Sequence, residues 1–289
     1  MTRTVAFNLE QAAEGLAASA GDADEARRDA QVLLGHALGV SRAWLSAHRD
    51  EILAAPVAAQ FDALLAQRQA GVPVAYLLGA REFYGRRFRV TPDVLIPRPE
   101  TELLVEEALA HLPPSAPRSV LDLGTGSGCI ALTIACERPA VKVIAVDASV
   151  AALEVARGNA GTLGASVEFI ESDWFARLTG RCFDLIVANP PYVASGDPHL
   201  ARGDLRFEPP AALAAGADGL DAIRRIVADA TGFLQQGGWL LFEHGYHQAP
   251  ACKDLLLKVG FGSLLSRADL AGVPRLAGGQ LLTPDSPNR

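Results

Sequence analysis

The sequence predicts a doubly wound α/β sheet preceded by a small helical domain. Three observations carry that expectation. Residues 1 to about 80 show helical spacing throughout and no strand-like run. From residue 119 onward, short apolar runs alternate with amphipathic segments, the pattern of a parallel sheet with both faces covered. The first of those runs ends in Asp122-Leu123-Gly124-Thr125-Gly126-Ser127-Gly128, a glycine-rich turn from strand into helix.

In the first region, ADEARRDAQVLLGHALG and APVAAQFDALLAQRQAG place Ala, Val and Leu three and four residues apart between charges. Asp22 and Ser41 are expected N-caps, while Gly39, Pro56 and Gly71 punctuate the helices. Nothing there is of a catalytic type. His36 and His48 sit in helical pattern and read as surface or packing residues. Residues 1–80 are therefore expected to form a helical recognition domain. Residues 81–96, with Phe83, Tyr84, Phe88, Val90, Val94 and Ile96 around Gly85 and Pro92, are expected to form a β-hairpin linker. Residues 97–289 hold the doubly wound domain. Pro99, Glu100 and Glu102 open its first helix, where a missing N–H costs nothing and negative charge suits the dipole. Strands are expected in SVLDLG, VKVIAVD, VEFIESD, FDLIVA and GGWLLFEHG. A helix is expected over GLDAIRRIVADATGFLQQ and a closing hairpin in PRLAGGQLLT, its glycines supplying a turn or bulge.

The chain has 289 residues, long enough for two cores, and a formal net charge of −7 from 26 Lys plus Arg against 33 Asp plus Glu. A protein built around duplex nucleic acid usually carries a basic footprint, so no direct nucleic-acid partner is expected. The first residues show no apolar segment followed by a small-residue cleavage site, and no run reaches membrane-spanning length. A cytoplasmic protein without a membrane partner is expected. Cys129, Cys136, Cys182 and Cys252 have no metal-ligand or pairing spacing, so no metal is expected and most of them read as small buried hydrophobes.

Ligands of such sheets bind beyond the C-terminal strand ends, and four of those ends carry chemistry. Gly124, Gly126 and Gly128, with Thr125 and Ser127 between them, allow a tight turn and close approach of a ligand to backbone. Asp147, 19 residues past Gly128 at the end of VKVIAVD, is placed to accept from both hydroxyls of a ribose. Asp173 and Trp174, after VEFIE, supply a carboxylate and a ring that could bond and stack on an adenine. Together these point to a nucleoside-containing cofactor. Gly126, Gly128 and Ala131 also satisfy a loose dinucleotide pattern, so the first turn by itself does not choose among such cofactors.

The fourth end is Asn189-Pro190-Pro191-Tyr192, after FDLIVA. Two prolines directly after an apolar strand cannot donate to a ladder, which argues for a rigid loop with a purpose. A planar nitrogen, in an amide or aromatic amine, is a poor nucleophile because its lone pair is delocalised. The Asn189 side-chain oxygen and the Pro190 carbonyl can each accept one N–H of such an NH₂ group, aiming the lone pair at an incoming methyl group. Tyr192 can stack on the planar group and, with Pro191, fill the pocket. A strong general base is unnecessary, because the alkylated nitrogen loses its proton readily.

The stretch Leu95-Ile96-Pro97-Arg98-Pro99-Glu100-Thr101-Glu102, then DLGTGSGCIAL, NPPYV, Phe207-Glu208-Pro209, Ala212-Leu213 and Asp218-Gly219-Leu220, resembles the bacterial release factor glutamine methyltransferases, the HemK/PrmC family. The resemblance runs over nearly the whole chain. The NPPY motif is shared with DNA amino-methyltransferases, and the Ile96–Glu102 and Phe207–Pro209 stretches are the discriminating ones. It implies a Rossmann-like methyltransferase that uses S-adenosyl-L-methionine, releases S-adenosyl-L-homocysteine, and methylates the side-chain nitrogen of the glutamine in the Gly-Gly-Gln loop of peptide-chain release factors. It implies that Gly124 to Gly128, Asp147, Trp174 and Asn189 contact the cofactor and that Asn189 to Tyr192 hold the glutamine amide. Glu243 and Gln248 match a late motif of the family without an assigned role, and His244 stands where an apolar residue would suit a strand end better. The alternatives are an N-methyltransferase acting on a nucleic-acid base, an NAD-dependent oxidoreductase that would leave NPPY unexplained, and a non-catalytic scaffold. A further coincidence is Gly278-Gly279-Gln280, the substrate tripeptide within the chain itself.

Overall fold

The computed structural model describes residues 3–20 and 22–282. They divide into two compact units, one of residues 1–80 with 201–207 and one of residues 81–200 with 208–289.

The first unit is helical, with α1 Val5–Ala20, α2 Ala23–Leu38, α3 Arg42–Ala47, α4 Ala55–Gln69 and α5 Val74–Leu78. Asp22 caps α2 by accepting from the Asp24 and Glu25 amides, and Ser41 caps α3 through Trp44. Ala26, Ala30, Leu33 and Leu34 of α2 lie on one face and pack with Ala12, Leu16, Leu45 and Phe61. Arg68 ties the 201–207 segment to this unit. Its guanidinium reaches Asp29 at 2.7 Å and Asp204 at 2.9 Å.

The second unit begins with a hairpin, β1 Ala80–Phe83 and β2 Arg86–Arg89. Tyr84 (φ 52°) and Gly85 (φ 69°) form its turn, two successive left-handed residues as a right-twisted hairpin requires. Its main sheet has seven strands: β3 Ser119–Leu123, β4 Lys142–Asp147, β5 Val167–Glu171, β6 Phe183–Ala188, β7 Leu234–Glu243, β8 Phe261–Ala268 and β9 Pro274–Leu281. Their order is β5-β4-β3-β6-β7-β9-β8. The first five in chain order pair in parallel, and β9 runs antiparallel to both β7 and β8. Strands β3, β4 and β6 alternate between two cores, which is why they read as nearly unbroken apolar runs. Leu121, Ile144, Ile186 and Leu240 face one side with α9 (Asp221–Ala230) and α10 (Ala249–Lys258). Val120, Val143, Leu185 and Leu241 face the other with α6 (Glu102–Ala110) and α7 (Cys129–Glu137). Each such side chain contributes about 1.5–3 kcal/mol on burial. The remaining helix, α8 Val150–Leu163, follows β4.

Three expectations change. The helix over GLDAIRRIVADATGFLQQ stops at Ala230, and Leu234 already pairs with Phe183 as the start of β7. Gly278 and Gly279 make no turn. They lie within β9 opposite Leu241 and Leu240, with Gln280 opposite Trp239 and its side-chain amide donating to the Gly237 carbonyl at 2.9 Å. Of the four cysteines, Cys129 and Cys252 are buried, while Cys136 is partly and Cys182 fully exposed.

Crowding explains the in-strand glycines. A Cβ on Gly278 would stand 2.6 Å from Leu241 Cδ2 and 2.7 Å from the Leu240 carbonyl oxygen. Gly278→Ala is expected to cost about 1–3 kcal/mol by overpacking, read as a fall in the urea midpoint. An unchanged midpoint would show that the sheet spreads freely there.

Candidate active site

The sheet is built outward in both directions from the β3–β6 boundary, where order reverses and a crevice opens beyond the strand ends. A cavity of about 340 Å³ lies there. Gly124, Thr125, Gly126, Ser127, Asp147, Asp173, Trp174, Asn189 and Pro191 line it, joined by Arg98 and Thr101. Gly128, Pro190 and Tyr192 do not. Gly128 (φ 81°) instead opens α7, where a Cβ would meet Leu132 at 2.9 Å and Ala156 at 3.2 Å. Its lack of a side chain serves helix packing.

The loop after β3 is held from two sides. Thr125 donates its amide to the Val146 carbonyl at 2.9 Å and its hydroxyl to Asp122 at 2.6 Å. Asp147 accepts the Gly126 amide on Oδ2 at 2.9 Å and the Ser149 amide on Oδ1 at 2.8 Å. The carboxylate thus braces the loop and starts the turn into α8, while each oxygen keeps a second lone pair. Burial raises its pKa against those bonds. Beneath the loop, burial pushes the fully enclosed Asp122 up to about 7. Its Oδ1 and the Ser127 hydroxyl are buried with no partner among the described residues.

Trp174 adopts φ 49°, uncommon for a bulky side chain. Its indole would meet a Gly124 Cβ at 3.4 Å, an ordinary contact, so it is the φ of 70° at Gly124 that favours glycine there. The Asp173 carboxylate is exposed and paired with Arg225 at 2.9 Å.

The NPPY loop is pinned by residues far away in sequence. Gln248 donates to the Tyr192 carbonyl at 3.0 Å and the Asp218 carbonyl at 3.1 Å, and accepts the Gly245 amide at 2.8 Å. A Cβ on Gly219 (φ 74°) would stand 2.2 Å from the Tyr192 carbonyl oxygen, which accounts for the glycine of Asp218-Gly219-Leu220. Glu243, buried at the end of β7, accepts the Tyr192 hydroxyl at 2.9 Å and the Thr101 hydroxyl at 2.6 Å. Thr101 in turn accepts from Asn189 Nδ2 at 3.1 Å. Burial raises the pKa of Glu243, and burial together with Glu243 raises that of Tyr192. The tyrosine hydroxyl is therefore engaged by Glu243, while its ring, partly exposed, packs against the β7 side of the sheet core. His244 is fully buried, keeps β7 in register through its amide to the Arg275 carbonyl at 2.9 Å, and has its pKa lowered by burial. A neutral imidazole thus fills the apolar place.

The two discriminating stretches meet as well. Buried Glu208 accepts the Ile96 amide at 3.0 Å and pairs with Arg98. Thr101, Glu208, Glu243 and Gln248 carry no role in the sequence reading. Their signal is an isolated polar residue in apolar or proline-rich context, and their partners lie as far as 142 residues away. Among the described residues, no group of three or more His, Cys, Asp or Glu is placed to hold a metal ion, and no helix is long and apolar enough to cross a membrane.

Comparison with known proteins agrees over both units. Residues 9–79 match the PrmC N-terminal domain, and residues 100–203 match the methyltransferase small domain. A release factor glutamine methyltransferase of Burkholderia pseudomallei (strain K96243) is 55% identical over 277 residues, spanning 93% of this chain and 96% of that protein. One from Vibrio cholerae serotype O1 is 45% identical over 98% of this chain and 99% of its own. Among solved structures, a Thermus thermophilus 16S rRNA N2 G1207 methyltransferase in complex with AdoMet and guanosine superposes with a TM-score of 0.53. It is 22% identical over 70% of this chain and 49% of its own, a likeness of fold.

Proposed function

Since the chain belongs to the release factor glutamine methyltransferase family, we propose that it transfers a methyl group from S-adenosyl-L-methionine to the side-chain nitrogen of the glutamine in the Gly-Gly-Gln loop of peptide-chain release factors. The observation that carries the reading is Asn189 on the cavity wall, its Nδ2 tied back to Thr101 and its Oδ1 without a donor among the described residues. That oxygen is the acceptor for one hydrogen of a primary amide, and the Pro190 carbonyl, just behind the wall between the lining residues Asn189 and Pro191, is assigned the other. Holding both fixes the direction of the nitrogen lone pair and favours the geometry in which it is localised. Tyr192 serves this grip from behind, through Glu243.

The cavity fits the cofactor on its own terms. The open space beside Gly126 admits a ligand against backbone. Asp147 keeps lone pairs for ribose hydroxyls, and Trp174 offers a ring for adenine. The Ser127 hydroxyl, on the cavity wall and without a partner among the described residues, is a polar group that a hydrogen-bonding ligand would answer. Gly124, Thr125, Asp173 and Asn189 complete the wall. Gly128 contributes by fixing α7. Bound there, S-adenosyl-L-methionine supplies an electrophilic methyl group and leaves as S-adenosyl-L-homocysteine. No buried base is needed next to Asn189, because the methylated nitrogen sheds its proton to water.

Residues 1–80 we assign to recognition of the release factor, and the compartment to the cytoplasm, where translation terminates. The match to the PrmC N-terminal domain supports the first assignment. No observation favours methylation of a nucleic-acid base. Incubation with release factor and isotopically labelled cofactor, followed by peptide mass spectrometry, tests the reading. A single labelled methyl on the loop glutamine is expected, and a label only on nucleic acid would refute it.

Asp147→Ala is expected to weaken S-adenosyl-L-methionine and S-adenosyl-L-homocysteine together, by about tenfold or more, since one or two bonds to a charged group are lost at about 1.5–3 kcal/mol each. Calorimetric titration checks it. Unequal losses for the two ligands would remove Asp147 from the ribose.

A further inference from the structure

We infer that Glu243, acting through the Thr101 hydroxyl, is a positioning residue that dictates which end of the Asn189 amide faces the substrate nitrogen. The inference rests on the reading that Asn189 grips a primary amide, and deepens it. The two ends of an asparagine amide have nearly the same shape, so only the polarity of their partners decides its orientation. Here the deciding partner is two hydrogen bonds removed. Each Glu243 oxygen accepts from a hydroxyl, Thr101 at 2.6 Å and Tyr192 at 2.9 Å. These two bonds favour the carboxylate, which only accepts, against the burial that raises its pKa. The single Thr101 proton therefore goes to Glu243. That leaves the Thr101 oxygen as an acceptor towards Asn189, and Nδ2 turns to it at 3.1 Å. Oδ1 is thereby committed to the cavity. With the amide reversed, an NH₂ group would confront the substrate NH₂ and the grip would fail. The same carboxylate fixes the Tyr192 end of the loop, so one buried group sets the polarity of the whole NPPY turn. It stands on β7, away from the cavity wall, and Thr101 on the wall conveys its effect.

A neutral amide at position 243 would break the logic. Its NH₂ can donate to Thr101, sending the hydroxyl proton towards Asn189 and demanding an oxygen there. Glu243→Gln is thus expected to lower kcat on release factor by about 10²-fold, the size seen when one oriented catalytic hydrogen bond is lost. Thr101→Val should do the same, and Thr101→Ser should recover most of the rate. The decisive variant is the pair Glu243→Gln with Asn189→Asp. A carboxylate at 189 meets an oxygen in the parent network but a donor in the altered one. Asn189→Asp alone should be as slow as Glu243→Gln, while the double variant should exceed either by about tenfold or more, a coupling of the kind expected within one hydrogen-bond network. Cofactor affinity and urea midpoints are measured alongside, since a scaffold role would move these and produce no recovery. Thr101→Val as fast as the parent, or a double variant no faster than the singles, would overturn the inference. A parent that fails to methylate release factor glutamine would sink the proposed function instead, so the two failures are distinct.

Discussion

Asn189→Ala is expected to lower turnover by about 10²–10³-fold while leaving S-adenosyl-L-methionine bound nearly as well as in the parent. The magnitude is that of removing one preorganised hydrogen-bonding group that acts where bonding changes. The asymmetry follows from the site. The Asn189 side chain is held at one end by Thr101 and offers the cavity a single acceptor, whereas cofactor contacts are spread over the glycine loop, Asp147 and Trp174. Losing that acceptor frees the substrate amide to rotate and its lone pair to stay delocalised. Pre-steady-state methyl transfer together with calorimetry separates the two effects. Collapse of cofactor affinity with normal residual turnover would make Asn189 a cofactor ligand alone.

The second large effect concerns stability. Arg98→Ala is expected to destabilise the methyltransferase unit by about 2–4 kcal/mol, the range for breaking a buried ion pair with some allowance for solvent. The Glu208 side chain is 0% exposed and that of Arg98 28%. Removing the guanidinium leaves a buried carboxylate with the Ile96 amide, at 3.0 Å, as its remaining donor among the described residues. An exposed pair such as Arg157 with Glu154 is worth about 0–1 kcal/mol, so Arg157→Ala is the control. Adding Glu208→Gln to Arg98→Ala should restore part of the loss, because the stranded charge is its source. Urea unfolding checks both, and a shift no larger than the control's would show Glu208 to be solvated.

What the sequence discloses depends on how local the cause is. The central strands β3, β4 and β6 are legible because burial on both faces leaves almost nothing polar in LDL, VIAV or LIVA. The glycine loop and Asp147 are legible because their spacing is set by one strand–helix–strand unit. The end of α9 is not. Phe233-Leu234-Gln235-Gln236 continues a helical rhythm, and only pairing of Leu234 with Phe183 across the sheet pulls it into β7. Gly278 and Gly279 mislead for the same reason, since glycine signals a turn unless one knows that Leu240, Leu241 and Phe261 press on the strand. The support behind NPPY is the most hidden. Thr101, Glu208, Glu243 and Gln248 come from four separated stretches, and a single sequence read along its length cannot show that they converge.

Asn159 gives the hairpin and the glycine loop a shared fate. Buried in α8, its side chain accepts the Arg89 amide at 2.7 Å and donates to the Arg89 carbonyl at 3.0 Å and the Ser127 carbonyl at 2.8 Å. Arg89 lies outside the cavity, yet its amide can exchange with solvent only when Asn159 lets go, and Asn159 also holds the loop that a cofactor would order. Local opening of the two is therefore one event, and whatever steadies one protects the other. Deuterium uptake at the Arg89 amide should slow on addition of S-adenosyl-L-homocysteine, whereas uptake that ignores the ligand would show the hairpin breathing independently. A strand that touches no ligand thus becomes a gauge of the loop's occupancy.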